Sequence, residues 1–221
     1  MNDNVVGRVS DLITQPKFRT MEKKLDFGSV LTQGFLVGMK NLPSLLGAIV
    51  LWLLTIWIPY VNVGTTIAIM TIPIKFSKGE IFSPLCIFEK QYYRYMGEFF
   101  LTCGWYTAGV LMAMVFLVVP GIVLGIIWSQ ALYLVLDKGV NPAKALSLSN
   151  KMTYGNKWII FAVMFIVYIA FLLASMLLTW IPFIGVIIAF CLMVIYVGMI
   201  LGCSGMMYGK LLENLTEEDF K

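Results

Sequence analysis

The polar side chains set in the most apolar stretches of this chain are hydroxyls and amides, not charges. Ser129-Gln130 is the best polar pair at depth. With Thr65, Thr66 and Ser204 it forms a candidate polar cavity, provided that the fold brings these positions together. The competing expectation is structural, because Ser and Thr readily bond back to carbonyls of their own helix. A second candidate set is charged. Glu98, Asp137, Lys138 and Lys157 stand at the ends of apolar stretches and would make a cytoplasmic mouth, or else only mark where those stretches end. Catalytic chemistry has little to work with. The chain has no His, so the commonest proton shuttle and metal ligand is missing. It carries no nucleophile-elbow, phosphate-loop or zinc-protease pattern. Proton relays and ion-coupled carriers usually place a charge inside a span, and here none does. Cys86, Cys103, Cys191 and Cys203 have no paired or metal-binding spacing and read as small packing residues. The 14 methionines are scattered as flexible packing. These features lead us to expect a non-enzyme with no catalytic residue, cofactor, metal or nucleic-acid partner.

The elements that must position these residues are set by where charge is absent. The chain has 221 residues, 60% of them hydrophobic and 13% charged, against about 25% charged in soluble domains. No charge lies between Asn41 and Ile74, between Phe99 and Leu136, or between Trp158 and Gly209. One membrane-spanning helix needs about 20 residues, so each window has room for two. All 16 Lys and Arg lie outside these windows. If each window is a hairpin, every basic residue is on one side, and that side should be cytoplasmic. The expectation is an all-α integral membrane protein with six transmembrane helices and both termini in the cytoplasm. The outer face would be three tight turns. The first 40 residues are polar, without the pattern of a cleaved signal, so the first span should direct its own insertion.

The windows also repeat. Pro59, Pro120 and Pro182 each break an apolar run at nearly equal intervals. Gly38, Gly97 and Gly155 precede the windows at similar spacing, and Lys78-Gly79 and Lys138-Gly139 follow two of them. The reading is three parallel-repeat hairpins, each preceded by a cytoplasmic amphipathic helix. Repeat 1 covers 26–80, with spans near 41–58 and 60–75. Repeat 2 covers 81–140, with spans near 99–119 and 121–136. Repeat 3 covers 141–209, with spans near 158–181 and 183–208. An N-terminal cytoplasmic tail (1–25) and an acidic, mobile tail (210–221) flank them. Within the first tail, Val5, Val9, Leu12 and Ile13 fit one short surface helix before Pro16. Asp26, Ser83-Pro84 and Asn141-Pro142 are suitable helix starts. In the second unit, Ile81, Leu85, Phe88, Tyr92, Tyr95 and Phe99 recur at helical steps, predicting one amphipathic helix. Such a helix would lie in the headgroup region or pack beneath the bundle. The second spans open with small residues four apart, namely Gly64/Ala68, Gly121/Gly125 and Gly185/Ala189, and the last adds Gly198 and Gly202. Small residues let helices approach closely in lipid, which predicts that the second helices form the crowded interior.

The stretch from Tyr133 to Phe161 carries a resemblance through Asp137, Gly139, Pro142, Ala145-Leu146, Ser149, Gly155 and Trp158. It resembles the linker of a group of bacterial six-helix membrane proteins. That group includes the membrane domain attached to some glycerophosphodiester phosphodiesterases and is distantly similar to the Yip1 family. The resemblance implies a six-helix membrane domain without the enzyme domain, so the phosphodiesterase activity is not carried over. The function expected is that of an inner-membrane accessory or scaffold protein. Its partners would be the lipid bilayer and a membrane or cytoplasmic protein. The alternative is a transporter, channel or lipid-moving protein with a path between the hairpins.

Overall fold

The structure, a computed structural model, describes residues 24–178 and 184–220, without the side chains of 178 and 184–187. Pro182, the turn of the third hairpin and the short helix expected near Val5 lie outside the described residues. Every regular element among the described residues is helical. In chain order these are α1 (Phe27–Lys40), α2 (Leu42–Thr55), α3 (Pro59–Met70) and α4 (Ile72–Ser77), then two single 3-10 turns at Pro84–Phe88 and Lys90–Tyr93. There follow α5 (Met96–Phe116), α6 (Val118–Trp128), α7 (Ala131–Lys138), α8 (Pro142–Thr153), α9 (Lys157–Leu178) and α10 (Ile184–Leu212), and a last 3-10 turn at Glu217–Phe220.

Among the described residues four helices are long and apolar enough to cross a membrane: Met96–Phe116, Val118–Lys138 (α6 and α7 together), Lys157–Leu177 and Ile188–Leu212. A fifth is reached only if α1 and α2, bent by 65° where they meet, count as one broken span. Six spans are therefore not shown among the described residues. The physical reason lies in the first window. At 1.5 Å per residue, α2 and α3 rise only about 21 and 18 Å, short of a hydrocarbon core about 30 Å thick. Their tip also contacts the segment that precedes α5. Tyr60, one residue past the Pro59 break, stacks on Tyr93 with ring centroids 4.8 Å apart. Tyr93 also fills the space where Gly64 lacks a side chain. The segment that carries Glu89, Lys90 and Arg94 thus runs alongside this hairpin.

That segment corrects a second expectation. The predicted helix from Ile81 to Phe99 is two 3-10 turns separated by Glu89, whose backbone is extended (φ −68°, ψ 136°). Ser83 provides no side-chain cap. The buried side chains are Phe82, Ile87 and Tyr92, at steps of five, whereas Ile81 and Leu85 are exposed. The apolar pattern had two readings, and packing against α2 and α3 selected the non-helical one. Pro84 sits against Gly47 of α2, where a methyl group would touch it at 2.9 Å.

The tightest crossing in the molecule joins α1 to α10. A methyl group on Gly38 would overlap the carbonyl of Gly198, and one on Gly202 would overlap the carbonyl of Gly34. Two pairs of glycines four apart, one on each helix, bring backbone against backbone. The expected surface helix of 26–40 is thus built into the bundle, although Asp26 does cap it, accepting from Ser29 N at 2.7 Å. The crowded-interior expectation divides among the second helices. Helix α10, which carries Gly185 in its first turn, and α3, with Gly64 and Ala68 buried, bury much of their length. In α6 only Gly121 is buried, set against Met114. Gly125 instead receives the Tyr106 hydroxyl on its carbonyl. The three glycines preceding the windows also diverge. Gly38 is a helix crossing and Gly97 faces open space, while Gly155 makes a left-handed turn (φ 75°).

The larger buried cluster lies where α1, α4, α7, α8, α9 and α10 meet. Val30, Leu134, Val135, Ala145, Met152, Met207, Tyr208 and Leu211 are fully buried there. Helix α8 starts as expected, with Asn141 accepting from Ala143 N at 3.0 Å. The C-terminal segment folds onto α8, which corrects the expectation of a mobile tail. Lys151 pairs with Asp219 at 2.5 Å, Asn214 donates to Met152 O, and Leu215 and Phe220 pack on the core.

Candidate functional site

The span formed by α6 and α7 is interrupted at Ser129-Gln130, and the interruption assembles the site. Its freed backbone groups find side-chain partners. Ser129 Oγ donates to Ile126 O at 2.8 Å. Ile127 O accepts from Ser149 Oγ at 2.6 Å and more distantly from Thr153 at 3.5 Å, both on α8. Ser149 Oγ in turn accepts from Gln130 N at 3.2 Å. Broken backbone inside a helical bundle is tolerated where such partners exist, and here α8 supplies them. Ser149 lies within the resembling stretch, where it reads as part of a linker helix. The structure shows it acting as a clamp on the break.

Beside the break is a cavity of about 240 Å³ lined by α5, the break itself, α7, α9 and α10, with Ser129, Gln130 and Ser204 in its wall. Thr102, Cys103, Tyr106, Thr107, Leu132, Tyr133 and Met164 complete the lining. Three of the five residues of the expected polar cavity therefore converge. Thr65 and Thr66 do not. They belong to the α2–α3 hairpin, where Thr65 faces Thr55 at 3.0 Å and Thr66 accepts from Trp52 Nε1 at 2.9 Å. Those bonds hold the hairpin shut, so the two threonines are structural. Sequence reading missed Thr102, Tyr106 and Tyr133 as cavity residues. The spacing of Thr102 and Tyr106, four apart on one face of α5, was the available signal.

The charged candidates separate in the same way. Asp137 is enclosed by Lys78 at 2.6 Å, Lys138 at 3.5 Å and the Tyr208 hydroxyl at 3.0 Å. The cluster joins α4, α7 and α10, and Lys78 and Tyr208 were absent from the expected mouth. Glu98 lies in the first turn of α5, its carbonyl accepting from Thr102. Lys157 lies over the Tyr154 ring at 5.8 Å. Neither joins Asp137, so no four-residue mouth forms. A further lysine, Lys75, sits 3.2 Å from Cys86 Sγ and within 6.0 Å of the Phe82 and Tyr92 ring centres. Among the described residues no group of three metal-ligating side chains comes together.

The described residues are thus all-helical, with several helices of membrane-spanning length and apolarity. No family model, curated protein or solved structure matches the chain.

Proposed function

We propose that this is a non-enzymatic, multi-pass protein of a bacterial inner membrane, acting as an accessory or scaffold. Its cytoplasmic face would meet lipid or a protein partner, and both termini are cytoplasmic. The observation that carries this reading is the position of the larger buried cluster. It joins α1, α4, α7, α8 and the end of α10, with the start of α9 packed among them. The spans themselves present broad apolar surfaces, such as Val115, Phe116 and Leu177. A rigid, charge-bearing platform on lipid-facing helices suits docking better than turnover. The resemblance of Tyr133–Phe161 to a linker in six-helix membrane proteins is consistent with it.

The finer topology belongs to the same proposal. Four spans cross, and the short α2–α3 hairpin enters and leaves on the cytoplasmic side, which keeps both termini together. The Tyr60–Tyr93 stack supports this arrangement. The test is labelling by a membrane-impermeant maleimide in a chain with its own cysteines replaced. Trp57→Cys should react from the same side as Lys221→Cys; reaction from the opposite side overturns the re-entrant hairpin. For the scaffold role, pure protein in liposomes should move neither lipid nor solute. Movement by the protein alone would favour the transporter reading, whose one supporting observation is the cavity at the Ser129-Gln130 break.

A further inference from the structure

The hydrogen-bond inventory of the cavity is unbalanced. The Ser129 hydrogen is committed to Ile126 O, the Thr102 hydrogen to Glu98 O, and the Tyr106 hydrogen to Gly125 O. Tyr133, Ser204 and Thr107 also bring hydroxyls to the wall. Because Ser129 has given its hydrogen away, it accepts from Gln130 Nε2 at 3.0 Å. That fixes the orientation of the Gln130 amide and leaves Oε1 as its other atom. Gln130 is 1% exposed, and Oε1 is the one buried side-chain N or O among the described residues without a partner. A buried acceptor left open costs about 1–3 kcal/mol, so a group that answers it is favoured. No wall hydroxyl is bonded to Gln130 Oε1, so what this oxygen lacks is a donor.

The remaining lining decides the kind of donor. No carboxylate or other charged side chain is part of it, so a cation would enter without a counter-charge, at a heavy desolvation cost. A neutral hydroxyl or amide N–H carries no such cost. Leu132, Met164 and the rings of Tyr106 and Tyr133 make most of the surface apolar, which suits a carbon body behind the polar head. Thr107, at the rim, is on the exposed side of α5, where acyl chains would run. A volume of about 240 Å³ corresponds to about eight waters at about 30 Å³ each, enough for a head and its first several carbons.

We propose that this cavity is a binding site for a neutral amphiphile bearing a hydrogen-bond-donating hydroxyl, which donates to Gln130 Oε1. The ligand is a lipid alcohol from the bilayer or a small free alcohol of the same chemistry. The proposal does not depend on the scaffold reading, since a scaffold with or without a ligand remains a scaffold.

The test uses the full chain in phosphatidylcholine nanodiscs and a diazirine-bearing hexanol as photolabel. Adducts should map to the peptides holding Thr102–Thr107 and Ser129–Tyr133. Hexanol should compete at least about tenfold better than pentyl methyl ether, which has the same heavy-atom count but no donor, as one lost buried hydrogen bond implies. Gln130→Met should keep the fold, judged by circular dichroism and elution volume, and should abolish the preference for hexanol. If that variant does not fold, the ether comparison on the unaltered chain carries the test alone, with Ser204→Ala as a second variant. Diolein placed in the nanodisc assigns the site to a membrane lipid if it blocks labelling, and to a free alcohol if only hexanol does. Equal competition by the ether, adducts mapping elsewhere, or no labelling would overturn the proposal and leave a water-filled gap.

Discussion

Two helix breaks, at Thr71 and at Ser129-Gln130, start alike and are packed differently. Each follows a helix opening with proline and a small residue, Pro59/Gly64 or Pro120/Gly121, and each leads to a Lys-Gly exit. At both exits, Gly79 (φ 71°) and Gly139 (φ 64°), the glycine is left-handed, as a helix end of this kind requires. At both breaks a hydroxyl folds back onto a carbonyl three residues earlier: Thr71 to Ala68 O at 2.6 Å, and Ser129 to Ile126 O at 2.8 Å. Beyond that they diverge. After Thr71, helix α4 lies backbone-to-backbone on α10, with Gly205 against the Pro73 carbonyl at 2.6 Å from a would-be methyl. After Ser129-Gln130, polar side chains of α8 take over the loose backbone groups, and one amide oxygen is left over beside a cavity. The two breaks share local geometry, and the tertiary neighbour decides whether a break is sealed or left beside a cavity.

That contrast predicts an order of effects on thermal unfolding of the purified protein. Gly205→Leu should cost most, about 3 kcal/mol, because its side chain meets backbone that cannot rotate away. A loss under about 1 kcal/mol would mean that α4 is not held by steric contact. Ser149→Val should cost about 2 kcal/mol, since Ile127 O loses its donor and Gln130 N its acceptor together. Thr71→Val should cost about 1 kcal/mol or less, because that break keeps its backbone bonds to Ile67 and Ala68. If Thr71→Val proved as damaging as Ser149→Val, the two breaks would be equivalent after all.

The smallest effect is acid-dependent. The Lys151 ammonium, and then the Thr216 amide, hold the Asp219 carboxyl below its usual range. A depressed folded pKa adds stability that is complete above the unfolded value and is lost as pH falls through the folded one, so the loss belongs below about pH 4. Asp219→Asn should remove a small part of the acid sensitivity of unfolding in that range. An unchanged acid profile would mean that the C-terminal turn is not held by this pair.

Much of the plan was legible from charge placement alone, because long charge-free windows have few soluble uses. Ser129, Gln130 and Ser204 were legible as polar groups at depth. The length of the first hairpin was not, since its window of apolar residues was wide enough for two spans and only the Tyr93 contact shows where it sits. Nor was the segment 81–95, whose helical periodicity lost to a five-residue burial pattern imposed by the hairpin beside it. Thr65 and Thr66 had the composition of cavity residues, but their partners Thr55 and Trp52 lie in the same hairpin. Long-range contacts of this kind leave no local trace, and the Ser149 clamp on Ile127, 22 residues away, is the clearest case.

The central claim is that α8 is part of the buried framework and not a peripheral helix lying on the membrane. Hydrogen exchange of the whole protein in nanodiscs tests it most directly. Amides from Ala145 to Thr153 should be protected to the level of those from Met199 to Leu211, and Ser149→Val should release both α8 and the start of α7. Exchange of α8 within seconds, with α7 and α10 still protected, would contradict the account.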